Sequence, residues 1–220
     1  MKEKIKNIII FIVLLFSFLT FEIVFLLLGV DFSNITLKTS VILTLIKYLF
    51  FIVVLFIIYR KYLINKWQDF KKNFFKYFKI STRYWFIGLL VMYLSNFVII
   101  GITKDIGENE TAVQSIITAY PLIALFMTTF FAPVIEELIF RKSLQDCFTS
   151  KKLYFIVSGI IFGYIHVLGA NDLLEYLLII PYGSLGAAFA QILNKTDNVY
   201  CVIMVHMIHN GILTLLQVAL

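Results

Sequence analysis

Residues 133–141 read PVIEELIFR, two adjacent glutamates and an arginine inside a run that is otherwise apolar. Whether this stretch crosses a membrane decides the fold. An ionisable side chain at the bilayer centre costs about 2.5–3.5 kcal/mol on insertion scales, so it persists there only if it faces protein or water, is paired, or serves function. In a helix Glu137 and Arg141 stand four residues apart on one face, with the acid N-terminal as ion pairing prefers. Glu136 is turned about 100° away. The spacing therefore predicts a Glu137–Arg141 pair and a free Glu136. The plainer alternatives are an inert polar cluster tying helices together, or a helix that ends in water before the charges.

The surroundings favour the membrane. The 220 residues are 61% hydrophobic, 17% aromatic and only 15% charged, with mean hydropathy +0.94. Soluble domains carry about 25% charged residues. Several apolar runs approach the ~20 residues that cross a hydrocarbon core as a helix. Seven such spans are expected: 8–30 (broken by Glu22), 41–59 (containing Lys47), 84–102, 119–148, 153–169, 173–193 and 199–220. Glu22 and Lys47 are expected to be peripheral, Lys47 reaching the outer end of its span by snorkelling. The expected architecture is an all-α polytopic bundle of about seven transmembrane helices, six to eight being compatible, forming a single membrane domain over residues 1–220. The first run has 23 apolar residues, longer than the 7–15 of a signal-peptide core, and is read as a retained helix.

Lysine and arginine give the orientation. Lys2, Lys4 and Lys6, the eight cations between Arg60 and Arg83, then Lys142, Lys151, Lys152 and Lys195 alternate along the chain with neutral or acidic segments such as TKDIGENET (residues 103–111) and Asn171–Asp172. The positive-inside rule then puts the N-terminus in the cytoplasm and the C-terminus outside. The basic, aromatic stretch 59–80 reads as an amphipathic helix on anionic headgroups, which accounts for the net charge of +6 without a nucleic-acid partner. Cys147 and Cys201 both fall toward the cytoplasmic side, where no disulfide is expected.

The chain has three histidines, His166, His206 and His209, all inside expected spans. A lone histidine on an apolar helix is most often a packed, hydrogen-bonded residue, but His206 and Asn210 share a face four residues apart. Glu136 and His166 lie 15 residues either side of residue 151, so an antiparallel hairpin would bring them to one depth. A carboxylate with a histidine can hold and deprotonate water, and a second histidine with an amide can donate to an oxyanion. No serine or cysteine occupies a convincing nucleophile position. A catalytic zinc takes three His, Glu or Asp ligands. Glu136, His166 and His206 would be one such set, but HExxH is absent and Asn210 is a better hydrogen-bond donor than ligand. No cofactor is therefore expected, zinc being possible but not favoured.

EELIFR at 136–141, FGYIH at 162–166 and HMIHN at 206–210, with Ala132–Pro133 just before the glutamates, resemble the three separated motifs of the CPBP intramembrane proteases, the CAAX prenyl-protease 2 or Abi family. The resemblance covers about residues 119–215 and departs at Lys142, where many members have glycine. It implies an intramembrane endopeptidase in which Glu136 and His166 activate water, His206 and Asn210 stabilise the oxyanion, and Glu137 and Arg141 support the site. His209, outside the motif, should be replaceable. The implied partners are a peptide or membrane-protein substrate and the lipid bilayer, in a plasma membrane, by composition a bacterial one. The other reading is a non-catalytic membrane protein of bacteriocin immunity or surface-protein regulation that keeps the fold. A proton-coupled transporter would call for an inverted repeat, which the sequence lacks. The sequence is silent on oligomeric state.

Overall fold

The computed structural model describes residues 2–103, 107–170 and 173–219, all-helical with no strand among them. Lys104, Asp105, Asn171 and Asp172, part of the segments used for the orientation, lie outside the described residues. The first apolar run is two helices, α1 (Lys2–Leu19) and α2 (Glu22–Leu27). Next come α3 (Leu37–Lys72), started by the Thr36 hydroxyl accepting from the Thr39 amide, and α4 (Phe74–Thr103). α5 (Glu108–Ala119) lies between the third and fourth expected spans and begins in the acidic segment. A rod from Pro121 to Ser143 then carries the glutamates, followed by α8 (Lys151–Ile165), α9 (Ile179–Thr196) and α10 (Val199–Ala219).

One expectation changes. Residues 59–80 do not form a separate surface helix. α3 contains no glycine or proline, so nothing interrupts it until Asn73, and the basic segment is the shared end of two long helices. Among the described residues five helices are long and apolar enough to cross a membrane: Leu37–Lys72, Phe74–Thr103, Pro121–Ser143, Glu175–Thr196 and Val199–Ala219. α1 carries Lys2, Glu3, Lys4 and Lys6 in its 18 residues, and α8 has only 15 residues.

The ends of the helices nevertheless gather in two groups. At one, Asn7 donates to the carbonyl of Asp146, Asn198 to the carbonyl of Lys66 and to Asp69, and Lys151 to the carbonyl of Asn194. At the other, the Glu108 amide donates to Glu175 and Gln217 donates to Glu110. The first group brings together the segments whose lysines alternate along the sequence.

Close packing around the site comes from small residues, which let helix backbones approach in a membrane. Gly159 and Gly163 of α8 face Gly183 of α9, and a Cβ at Gly163 would meet the Ile179 carbonyl at 2.5 Å. Outward-facing Phe75, Phe97 and many leucines are exposed, as a lipid-facing wall requires. Glu22 and Lys47 are not independent. Lys47 Nζ lies 2.9 Å from Glu22 and 4.6 Å over the Phe18 ring, so the two charges offset each other between α2 and α3. Cys147 and Cys201 are free and buried.

Candidate active site

The rod that carries the glutamates is not a plain α-helix. It begins as α6 (Pro121–Phe126), widens to a π-helical turn over Met127–Phe131, returns to α7 (Ala132–Glu136) and widens again over Glu137–Ser143. Such turns are rare and are frequent at functional sites. The first has a local cause. The Ala132 amide bonds five residues back, to Met127. In that register the next bond would run from residue 133 to Thr128, but Pro133 has no N–H to give. Asn210 of α10 supplies the donor instead, its Nδ2 lying 2.9 Å from the Thr128 carbonyl oxygen. A second tie, Thr128 to Thr214 at 2.8 Å between hydroxyls, holds the same two elements.

Glu137 and Arg141 form the expected pair, Nε to Oε2 at 3.3 Å, both fully buried. The guanidinium lies 4.3 Å over the Phe162 ring and 5.7 Å from Phe189, contacts that suit a desolvated, delocalised cation. Its Nη2 has no protein acceptor among the described residues. The other Glu137 oxygen, Oε1, is 2.7 Å from His206 Nδ1. With Nδ1–H donating to that carboxylate, His206 presents Nε2 to Glu136, whose Oε2 is 4.0 Å away. That gap is too long for a direct hydrogen bond and suits a bridging water. Glu136 keeps 18% of its side-chain surface exposed, against none for Glu137.

His166 caps α8, and with Nδ1 2.8 Å from the Phe162 carbonyl oxygen it donates there. Its ring stacks on Tyr182 at 4.6 Å and lies 4.3 Å from Phe162. Phe162 in turn is 6.3 Å from the His206 ring, so the two histidines flank one aromatic side chain. The hairpin register agrees: Phe140 packs on Phe162, and Tyr154 donates to the Arg141 carbonyl. His209 lies edge-on to Trp85 at 6.3 Å. Among the described residues no three His, Cys, Asp or Glu side chains are grouped to hold a metal ion.

The structure thus joins Glu137, Arg141 and His206 directly, sets Glu136 4.0 Å from His206, links His166 to them through Phe162, and ties Asn210 to the rod beside them. One contributor carried no signal in the sequence: Phe189 of α9, outside the EELIFR segment, completes the cradle of Arg141.

Residues 118–212 match the family described as Type II CAAX prenyl endopeptidase Rce1-like. The chain is 30% identical over 122 residues to the Bacillus subtilis (strain 168) protein named "Putative membrane peptidase YdiL", covering 54% of this chain and 46% of that one. It is 29% identical over 140 residues to "UPF0177 protein YxdF" of Lactococcus lactis subsp. lactis (strain IL1403), covering 62% of this chain and 75% of that one. The chain thus matches less than half the length of YdiL. No solved structure matches it. With the three motifs in order inside the matched segment and Glu137, Arg141 and His206 in contact, residues 118–212, less than half of the chain, are similar to the Type II CAAX prenyl endopeptidase Rce1-like family, in agreement with the resemblance to the CPBP family.

Proposed function

We propose that the protein is an intramembrane endopeptidase that hydrolyses a peptide bond with water activated by Glu136, without a metal. The supporting observation is the 4.0 Å separation of the Glu136 carboxylate from His206 Nε2, with the ring held from behind by buried Glu137. A water between them would lose a proton to Glu136 as its oxygen bonds the scissile carbonyl carbon, and Glu136 would pass that proton to the amine nitrogen as the C–N bond breaks, with His166, stacked between Phe162 and Tyr182, closing the wall beyond Phe162. His206, protonated on both nitrogens with Nδ1–H on Glu137, would donate Nε2–H to the developing oxyanion. Asn210 has one amide hydrogen engaged with Thr128 and a second to offer the same oxygen. One lost oxyanion donor typically costs about 10²–10³-fold in turnover.

An apolar groove of about 590 Å3 runs beside the rod, lined by Val134 and Leu138 of the rod, Phe56 and Trp67 of α3, and Ile203 and Met207 of α10. Val134 and Leu138 flank the glutamates in sequence. The groove suits an apolar stretch of a membrane-associated substrate, in a bacterial plasma membrane with the N-terminus cytoplasmic.

The test is cleavage of a membrane-peptide library by purified protein, before and after exhaustive chelation, beside Glu136→Gln. Activity that survives chelation and is lost in Glu136→Gln at normal protein level fits this reading. Activity that disappears on chelation and returns with stoichiometric zinc would make Glu136, His166 and His206 ligands. Full biological function in Glu136→Gln would favour a non-catalytic immunity or regulatory role.

A further inference from the structure

A second cavity lies away from the glutamates. It is about 710 Å3, between α4, α8 and α9, within the ~300–1,000 Å3 usual for a ligand site. Its wall follows α9 from Ser184 to Lys195, twelve residues spanning about 16 Å of helix. Tyr84, Ile87 and Val91 of α4 and Phe155 of α8 complete that wall. Ile87 and Val91 are about half exposed on the lipid-facing surface, so the cavity opens sideways toward the bilayer.

Its other end is polar and positive. Lys151, Lys152 and Lys195 stand there, with Arg83 beside the lining ring of Tyr84. Among the described residues no acidic side chain lines the cavity and none pairs with these lysines; the nearby Asp197 is bound to Lys66 at 2.6 Å. Lys151 and Asn194 exchange hydrogen bonds through each other's backbone carbonyls at 3.1 Å. That clamp fixes the ends of α8 and α9 and holds the cationic rim in place. Unpaired cations at the interface end of a slot that turns apolar within the membrane are complementary to one amphiphile, a phosphate-bearing headgroup followed by a hydrocarbon chain.

We infer that this cavity binds one anionic glycerophospholipid, its phosphate on Lys152, Lys195 and Lys151 and an acyl chain against α4 and α9. The site is independent of the proposed chemistry at Glu136. Both exposed lysines can be changed without disturbing the core, and Val91, at the lipid-facing wall, can be enlarged to fill the slot without touching a charge.

The experiment is native mass spectrometry of the whole detergent-purified protein offered phosphatidylglycerol and phosphatidylcholine of equal chain length. The wild type should retain one phosphatidylglycerol in preference to phosphatidylcholine. The preference should fall roughly five-fold per lysine in Lys152→Gln and in the Lys152→Gln/Lys195→Gln pair. Val91→Trp should lower retention of both lipids. Equal retention of the two lipids by the wild type, a preference unchanged in the lysine variants, or retention unchanged in Val91→Trp would each overturn the proposal. So would displacement of the lipid by millimolar glycerol phosphate, which would mean that the rim binds a free anion and the apolar slot contributes nothing.

Discussion

Arg141 has no exposed surface, and among the described residues its one ion pair is with Glu137, at 3.3 Å. Removing one partner of a buried pair leaves the other charge uncompensated, at a cost of about 3–5 kcal/mol. Arg141→Ala should therefore lower both protein abundance and thermal stability, while Glu136→Gln, isosteric and at a carboxylate with no close ion-pair partner, should keep both and lose cleavage. Immunoblots and unfolding midpoints separate the two, and equal losses in both variants would erase the division between support and chemistry. The pair was legible in the sequence because i and i+4 share a helix face whatever the rest of the fold does. The Glu137–His206 contact spans 69 positions and depends on how two helices dock, so spacing alone gave only the candidates. Phe189 was invisible for a related reason: its place by Arg141 comes from how α9 docks, and nothing in the spacing sets it apart from the other apolar residues of that helix.

Within the rod, the widened turn and Asn210 form one unit, since Pro133 withholds the amide that the Thr128 carbonyl would otherwise take and Asn210 replaces it. Asn210→Ala should leave that carbonyl without a donor and destabilise the protein by about 1–3 kcal/mol. In a Pro133→Ala background the backbone amide is restored, and the same change should cost less by about 1 kcal/mol or more in a double-mutant cycle. Additive effects would detach Asn210 from the proline. Proline in the sequence announced a disturbed helix, but not which residue of a distant helix would compensate for it. Element length was read less well than element existence. α3 runs past its apolar segment into the lysines because backbone hydrogen bonding continues through charged residues as readily as through leucines. The 15-residue α8 is shorter than its apolar run because the chain turns at His166 and Val167.

Across the whole molecule, the two groups of helix ends carry a topology test. The lysine-bearing loops meet at one end and the Glu108–Glu175 contact marks the other, so a membrane with an asymmetric charge rule should hold the molecule one way. Reporter fusions following Thr103 and Gly169 should both read outside and one following Thr196 inside; a cytoplasmic signal from either of the first two would refute the orientation. The alternation of basic and neutral segments was the legible part, because it depends on loops alone. The number of crossings was less so, since it depends on where long helices leave the hydrocarbon. The same bundle has a practical consequence through its two thiols. Cys147 and Cys201 are 8% and 0% exposed, and a buried structural thiol is inert. Maleimide labelling of the unmodified chain therefore works as an unfolding clock, silent while the helices stay docked and started by their separation. Cysteines introduced at the lipid-facing wall could be tagged selectively against that quiet background.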